Sequence, residues 1–208
     1  MEAKTLNRFL CIAAFAVAAL VAPQASLAGY VEYDAVLSGL NEPPANTSPG
    51  TGFAQIFIDA IGNKMEVKVS FSGLLGTTAA AHIHAGTPTP GTGSAGVATT
   101  TPYFSGFPIG VTSGTYDNVL DMTMASSYNP SYVTAHGGTT ATAEAALFSS
   151  IAAGTSYFNI HTSVYPAGEI EGFLVPSVVP EPSSMVLCGL GGAIALGLAR
   201  IRRRHRSA

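Results

Sequence analysis

"FAQIFIDAIGNKMEVKVSFSGL", Phe53 to Leu74, is the stretch whose reading decides the fold. In its second half Met65, Val67, Val69 and Phe71 alternate with Glu66, Lys68 and Ser70. That period of two belongs to a strand with one face buried, not to a helix. Phe53 to Ile58 is a second apolar alternating run, and Asp59-Ala-Ile-Gly-Asn63 between the two supplies turn residues. The stretch therefore predicts an antiparallel hairpin.

The flanking sequence continues in the same manner. "YVEYDAVLSGL" (30–40) alternates up to Gly39, and "NEPPANTSPGTG" (41–52), with three prolines, reads as a loop because proline removes ladder donors. "AAAHIHAG" (79–86) predicts another strand, and "TPTPGTGSAG" (87–96) a low-complexity, mobile loop. Residues 97–125 carry weaker strand signals, "NVLDMTM" among them. "TATAEAALFSSIAAG" (140–154) is the one helical segment, with Gly154 as its C-terminal cap. "TSYFNIHTSVYPAGEIEGFLV" (155–175) reads as two strands around Pro166-Ala167-Gly168. Many short strands with one short helix point to an all-β fold, a Greek-key-like β-sandwich.

The two ends of the 208-residue chain are of a different kind. Lys4 and Arg8, the apolar run Phe9–Ala22 and the small residues of Ser26-Leu27-Ala28 form a secretory signal peptide over 1–28. Residues 176–182 form a linker containing Pro180-Glu181-Pro182, residues 183–199 an apolar membrane helix, and residues 200–208 a basic cytoplasmic tail. The uncharged run from Pro182 to Ala199 would span roughly 27 Å as a helix, about one hydrocarbon core. The arginines after it would stay in the cytoplasm, leaving the body, 29–175, outside.

Those 147 residues suffice for one well-buried domain. They contain two lysines, Lys64 and Lys68, against ten carboxylates, a net charge of about −8 that excludes nucleic acid as a partner. Both cysteines, Cys11 and Cys188, lie in the terminal segments, so the body has neither a disulfide framework nor a thiol nucleophile. There is also no Gly-x-Ser-x-Gly elbow and no phosphate loop. Glu169 and Glu171 read as neighbouring glutamates on a solvated strand face.

The histidines are the chemically distinct feature. Residues two apart on a strand share a face, so His82 and His84 project together while Ile83 points to the core. The same parity places Tyr157, Asn159 and His161 on one face, with Phe158 and Ile160 on the other. If the two strands are neighbours, His82, His84 and His161 meet, with His136 as a fourth ligand or a loop residue. Neutral imidazoles suit copper or zinc. Hydrogen bonding across a strand join is the plainer alternative.

Two resemblances organise these segments. Pro180-Glu181-Pro182, a Gly/Ala/Leu-rich helix and closing arginines resemble the PEP-CTERM sorting tail. That resemblance implies a Gram-negative bacterium, transient inner-membrane anchoring, and an exosortase-like protease that releases the body to the cell surface or matrix. "LSGLNEPPANTSPGTGFA", "VSFSGL", "AHIHAG", "YFNIHT" and "YPAGEIEGFL", in that order, resemble the CHRD domain, which implies a β-sandwich but no reaction. The family usually carries arginine after "GEI", where this chain has Glu171.

The function expected is a non-enzymatic surface or matrix protein whose partner is an envelope or extracellular polysaccharide or protein. The alternative is a copper- or zinc-binding protein using the three histidines. The His-x-His pair is also similar to copper/zinc superoxide dismutase. The body lacks that enzyme's zinc cluster, cysteines and guiding arginine, so a redox enzyme is the least supported reading.

Overall fold

The computed structural model describes residues 30–177. The signal peptide, the Pro-Glu-Pro motif, the membrane helix and the basic tail all lie outside the described residues.

The hairpin of the opening stretch forms as read. β2 (Thr51–Asp59) pairs antiparallel with β3 (Lys64–Ser72), Ile56 opposite Val67 and Ile58 opposite Met65. Met65, Val67, Val69 and Phe71 are all buried, and Glu66 and Lys68 form an ion pair outside the core. β1 (Val31–Ser38) lies antiparallel on β2 and contributes Tyr33, Ala35 and Leu37 to the same inner face. The weak signals after residue 97 resolve into one strand, β5 (Gly114–Asp121), on the far side of β3.

β4 (Thr78–Ala85) pairs with β6 (Ser156–Thr162), and β6 with β7 (Ile170–Phe173). β7 reaches β1 through Ser38 opposite Glu171, and the two-residue β8 (Val175–Pro176) also pairs with β1. The order is β4-β6-β7-β1-β2-β3-β5, one antiparallel sheet curled into a half-barrel. This corrects the Greek-key sandwich. The inner faces do enclose one apolar core, as the faces of a sandwich do, but β7 joins the two halves into a continuous sheet. Alternation specifies which face of a strand is buried and leaves its neighbours open, which is why the two architectures look alike in sequence.

The helix appears as α2 (Thr140–Ala152), packed through Ala143, Leu147 and Ile151, and Gly154 follows it at φ +68° as the left-handed cap. A second helix, α1 (Pro130–Ala135), was not expected. Asn129 caps it, its side chain accepting from the Ser131 amide, and proline occupies the first turn. Among the described residues no helix is long and apolar enough to cross a membrane.

The loop read as mobile, 87–96, and its continuation run back along the free edge of β4. The Ala85 amide donates to the Gly96 carbonyl, Ala98 to Ile83, and Ala81 to Pro102. An exposed edge is thereby covered, which a Gly/Pro/Thr composition does not announce.

β6 is buried on both faces: Phe158 and Ile160 enter the core, and Tyr157 and Asn159 are covered on the other side. Ile83, opposite Phe158 and itself fully buried, anchors the strand that carries the histidines. Ile83→Val is expected to cost about 0.5–1.5 kcal/mol, read as a lowered denaturation midpoint without loss of fold.

Candidate metal centre

Strand register builds the site. On β4 and β6, His82 stands opposite Asn159, His84 opposite Tyr157, and Ala80 opposite His161. All these side chains leave the sheet on the face away from the core, as the parity of the sequence predicts. The three rings converge: centroids are 4.7 Å apart for His82–His84 and for His82–His161, and 6.2 Å for His84–His161. One nitrogen from each lies within 4.8 Å of the others.

His136 is not in this group. It caps the C-terminus of α1, where its Nδ1 lies 2.8 Å from the Tyr132 carbonyl and its ring packs on Tyr132.

The outer nitrogen of each clustered ring faces a backbone carbonyl. His82 Nδ1 lies 3.1 Å from Pro102 O, His84 Nδ1 2.8 Å from Ala95 O, and His161 Nδ1 3.1 Å from Pro166 O. A carbonyl only accepts, so each Nδ1 carries the proton and each neutral ring presents a bare lone pair at Nε2. Two of these lone pairs face each other, His82 Nε2 and His161 Nε2, at 3.0 Å. The third, His84 Nε2, is buried and has no hydrogen-bond partner.

A proton between the facing nitrogens would create an imidazolium, which burial opposes. Burial, with the neighbouring His84 and His161 and against the Pro102 carbonyl, pushes His82 down to about 3. Burial likewise pushes His84 down to about 4, and His161 below the ordinary histidine range. The cluster is neutral in ordinary conditions, with its lone pairs aimed inward.

The surroundings fix these orientations. Pro102 and Ala95 belong to the segment that covers β4, and Tyr157 stacks on His84 at 4.5 Å and 7°. The Ala95 amide donates to the Tyr157 hydroxyl at 3.3 Å. Sequence parity finds the three histidines. The carbonyls that set their tautomers come from loops, where no periodicity points to them.

The row continues beyond the histidines. Asn159 stands opposite Glu171 on β7, and Asn159 Nδ2 donates to Glu171 Oε2 at 3.2 Å and to Glu42 Oε2 at 3.4 Å. Burial raises Glu42 to about 7, and burial together with the Glu42 charge raises Glu171 to about 8. Glu169, by contrast, bonds to Ser48, Leu75, Gly76 and Thr162. The solvated glutamate pair of the sequence reading is thereby corrected: both are buried, in separate environments. Neither Glu42 nor its proximity to Glu171 carries a sequence signal, because the loop and the strand end lie 129 positions apart in the chain.

The family model described as the CHRD domain matches residues 33–174, and the PEP-CTERM protein-sorting motif matches residues 178–204. No curated protein and no solved structure matches the chain.

Proposed function

We propose, from the premise that the chain belongs to the CHRD-domain family and carries a PEP-CTERM sorting motif, that it is an exported, non-enzymatic protein holding one copper or zinc ion. The motif implies processing by an exosortase and delivery to the cell envelope or surface of a Gram-negative bacterium. Transient anchoring in the inner membrane and residence among extracellular polysaccharide or surface proteins complete this reading.

One observation carries the metal assignment: two bare imidazole nitrogens face each other at 3.0 Å beside a third that is buried and unpartnered. A divalent ion relieves that conflict, since two nitrogens so placed can both lie roughly 2.0–2.1 Å from it. His82, His84 and His161 would hold it through Nε2. Their Nδ1–H bonds to Pro102, Ala95 and Pro166 supply the outer support that metal-bound histidines usually have. The net charge of the body repels superoxide, so the charge pattern favours storage or structural use of the ion over turnover.

The full-length chain, stripped with chelator, is expected to bind one Cu(II) or Zn(II) with submicromolar affinity. His82→Ala/His84→Ala should weaken binding by a hundredfold or more. Affinity weaker than micromolar, or an unchanged affinity in the double variant, would reject the site.

A further inference from the structure

A second site lies beyond Asn159. A cavity of about 560 Å³ opens beside β7 and β1, and its walls include Asp34, Val36, Glu42, Glu171, Phe173 and Val175. Three of these are carboxylates and three are apolar. The carboxyl groups of Glu42 and Glu171 are close enough to share the single Asn159 Nδ2 as donor. Glu42 is 7% exposed and Glu171 1%, so water screens neither well.

The cavity is also unsatisfied in detail. Glu42 Oε1 is buried without a hydrogen-bond partner, and so is Asp34 Oδ1. A buried carboxyl oxygen without a partner is costly, and a charged donor seated beside Glu42 and Glu171 would favour their ionised forms, to which it bonds most strongly. Among the described residues the basic side chains are Lys64 and Lys68, both on β3, with Lys68 paired to Glu66. No basic side chain among the described residues supplies the positive charge that fits here.

We propose that this cavity is a receptor for an alkylguanidinium group, an arginine side chain presented by a partner polypeptide. A guanidinium carries five N–H donors in a flat fork, enough to serve Glu42 and Glu171 together. Its face packs on an aromatic ring, here Phe173, and its methylene stem suits Val36 and Val175. A bare calcium ion would use the oxygens but leave the apolar walls and most of the volume without a role. The site shares no ligand with the histidine cluster, so either can fail alone.

Calorimetric titration of the chelator-stripped full-length chain with N-acetyl-arginine methylamide tests the assignment, with n-butylammonium and calcium chlorides as comparison ligands. The arginine compound is expected to bind at one site. Glu42→Gln and Glu171→Gln should each weaken it tenfold or more, and Glu171→Arg should abolish it by placing a guanidinium in the cavity from within. Thermal unfolding of each variant confirms that the affinities belong to folded protein. No binding at 10-millimolar ligand (about the weakest useful affinity for a single site), equal binding of n-butylammonium, binding of calcium alone, or an unchanged affinity in folded Glu171→Gln would each overturn it.

Discussion

Glu169→Gln is expected to destabilise the domain by about 1–3 kcal/mol, the scale for leaving a buried donor without its acceptor. The Glu169 carboxylate is fully buried and accepts four hydrogen bonds. Ser48 Oγ at 2.6 Å and the Leu75 amide at 2.5 Å donate to Oε1, and the Gly76 amide at 3.1 Å and Thr162 Oγ1 at 2.5 Å donate to Oε2. Each oxygen thus serves one hydroxyl and one backbone amide. In glutamine one oxygen becomes an NH2 group. A hydroxyl can rotate to accept from it, but a backbone N–H cannot, so either rotamer leaves Leu75 or Gly76 facing a donor. The loss also propagates, because the same carboxylate joins the loop before β2, the turn after β3 and the end of β6.

The charge makes the contribution pH-dependent. Burial would raise Glu169, but the bonds from Ser48, Thr162, Leu75 and Gly76 outweigh it and hold the group below the usual carboxylate value of 4.5. Its stabilisation is therefore full above that value and is lost as the pH falls through the lower folded-state pKa. Chemical denaturation at pH 7 should show the loss in Glu169→Gln, and acid titration should show a shallower decline than in the wild type. A variant within about 1 kcal/mol of wild type at pH 7 would mean that the four bonds are replaceable, against the asymmetry expected of buried acceptors.

What the sequence reveals and hides follows from the range of the interactions. The β2–β3 hairpin, α2 with its glycine cap, and the shared face of His82 and His84 depend on residues near one another in the chain, and all are legible. His161 is legible too, because its parity against Phe158 and Ile160 is local and only its strand's neighbour had to be supposed. The single curled sheet is not, since it turns on β7 bridging β6 and β1, a pairing that alternation leaves open. Nor are the carbonyls of Ala95, Pro102 and Pro166, which offer the same group at every position in any loop. Glu169 and Glu171 mislead for a related reason. Their spacing suggests one strand face, but β7 begins only at Ile170, and Gly168 at φ +138° turns the chain just before Glu169. Glu169 therefore meets Thr162 while Glu171 meets Asn159.

Saturating the histidine cluster with metal is expected to raise the unfolding temperature of the stripped chain by about 8–16 °C. A ligand at a thousand times its dissociation constant stabilises by roughly 4 kcal/mol, and each kcal/mol moves a domain of this size by about 2–4 °C. His82→Ala should abolish the shift. The pH profile is the sharper readout. An exposed set of three histidines loses metal as the pH falls below about 6.5, because protons compete for each ring. Here burial holds His82 near 3 and His84 near 4, so in the folded chain competition begins only well below the ordinary range. His161 is lowered as well, so metal affinity should fall less between about pH 8 and pH 5 than it does for three free imidazoles. The metal-free fold follows a different course over the same interval. Its buried neutral histidines contribute stability fully above 6.5, and this is lost as the pH falls from there toward their folded-state values, since the unfolded chain takes up protons first. The histidine share of the stability should fall with acid, against an opposing gain from Glu42 and Glu171, whose folded-state values of about 7 and about 8 lie above their unfolded ones. An affinity that drops tenfold or more per pH unit between 6.5 and 5 would show that the rings titrate as free imidazoles. The inward-facing lone pairs on which the metal assignment stands would then be absent from the protein in solution.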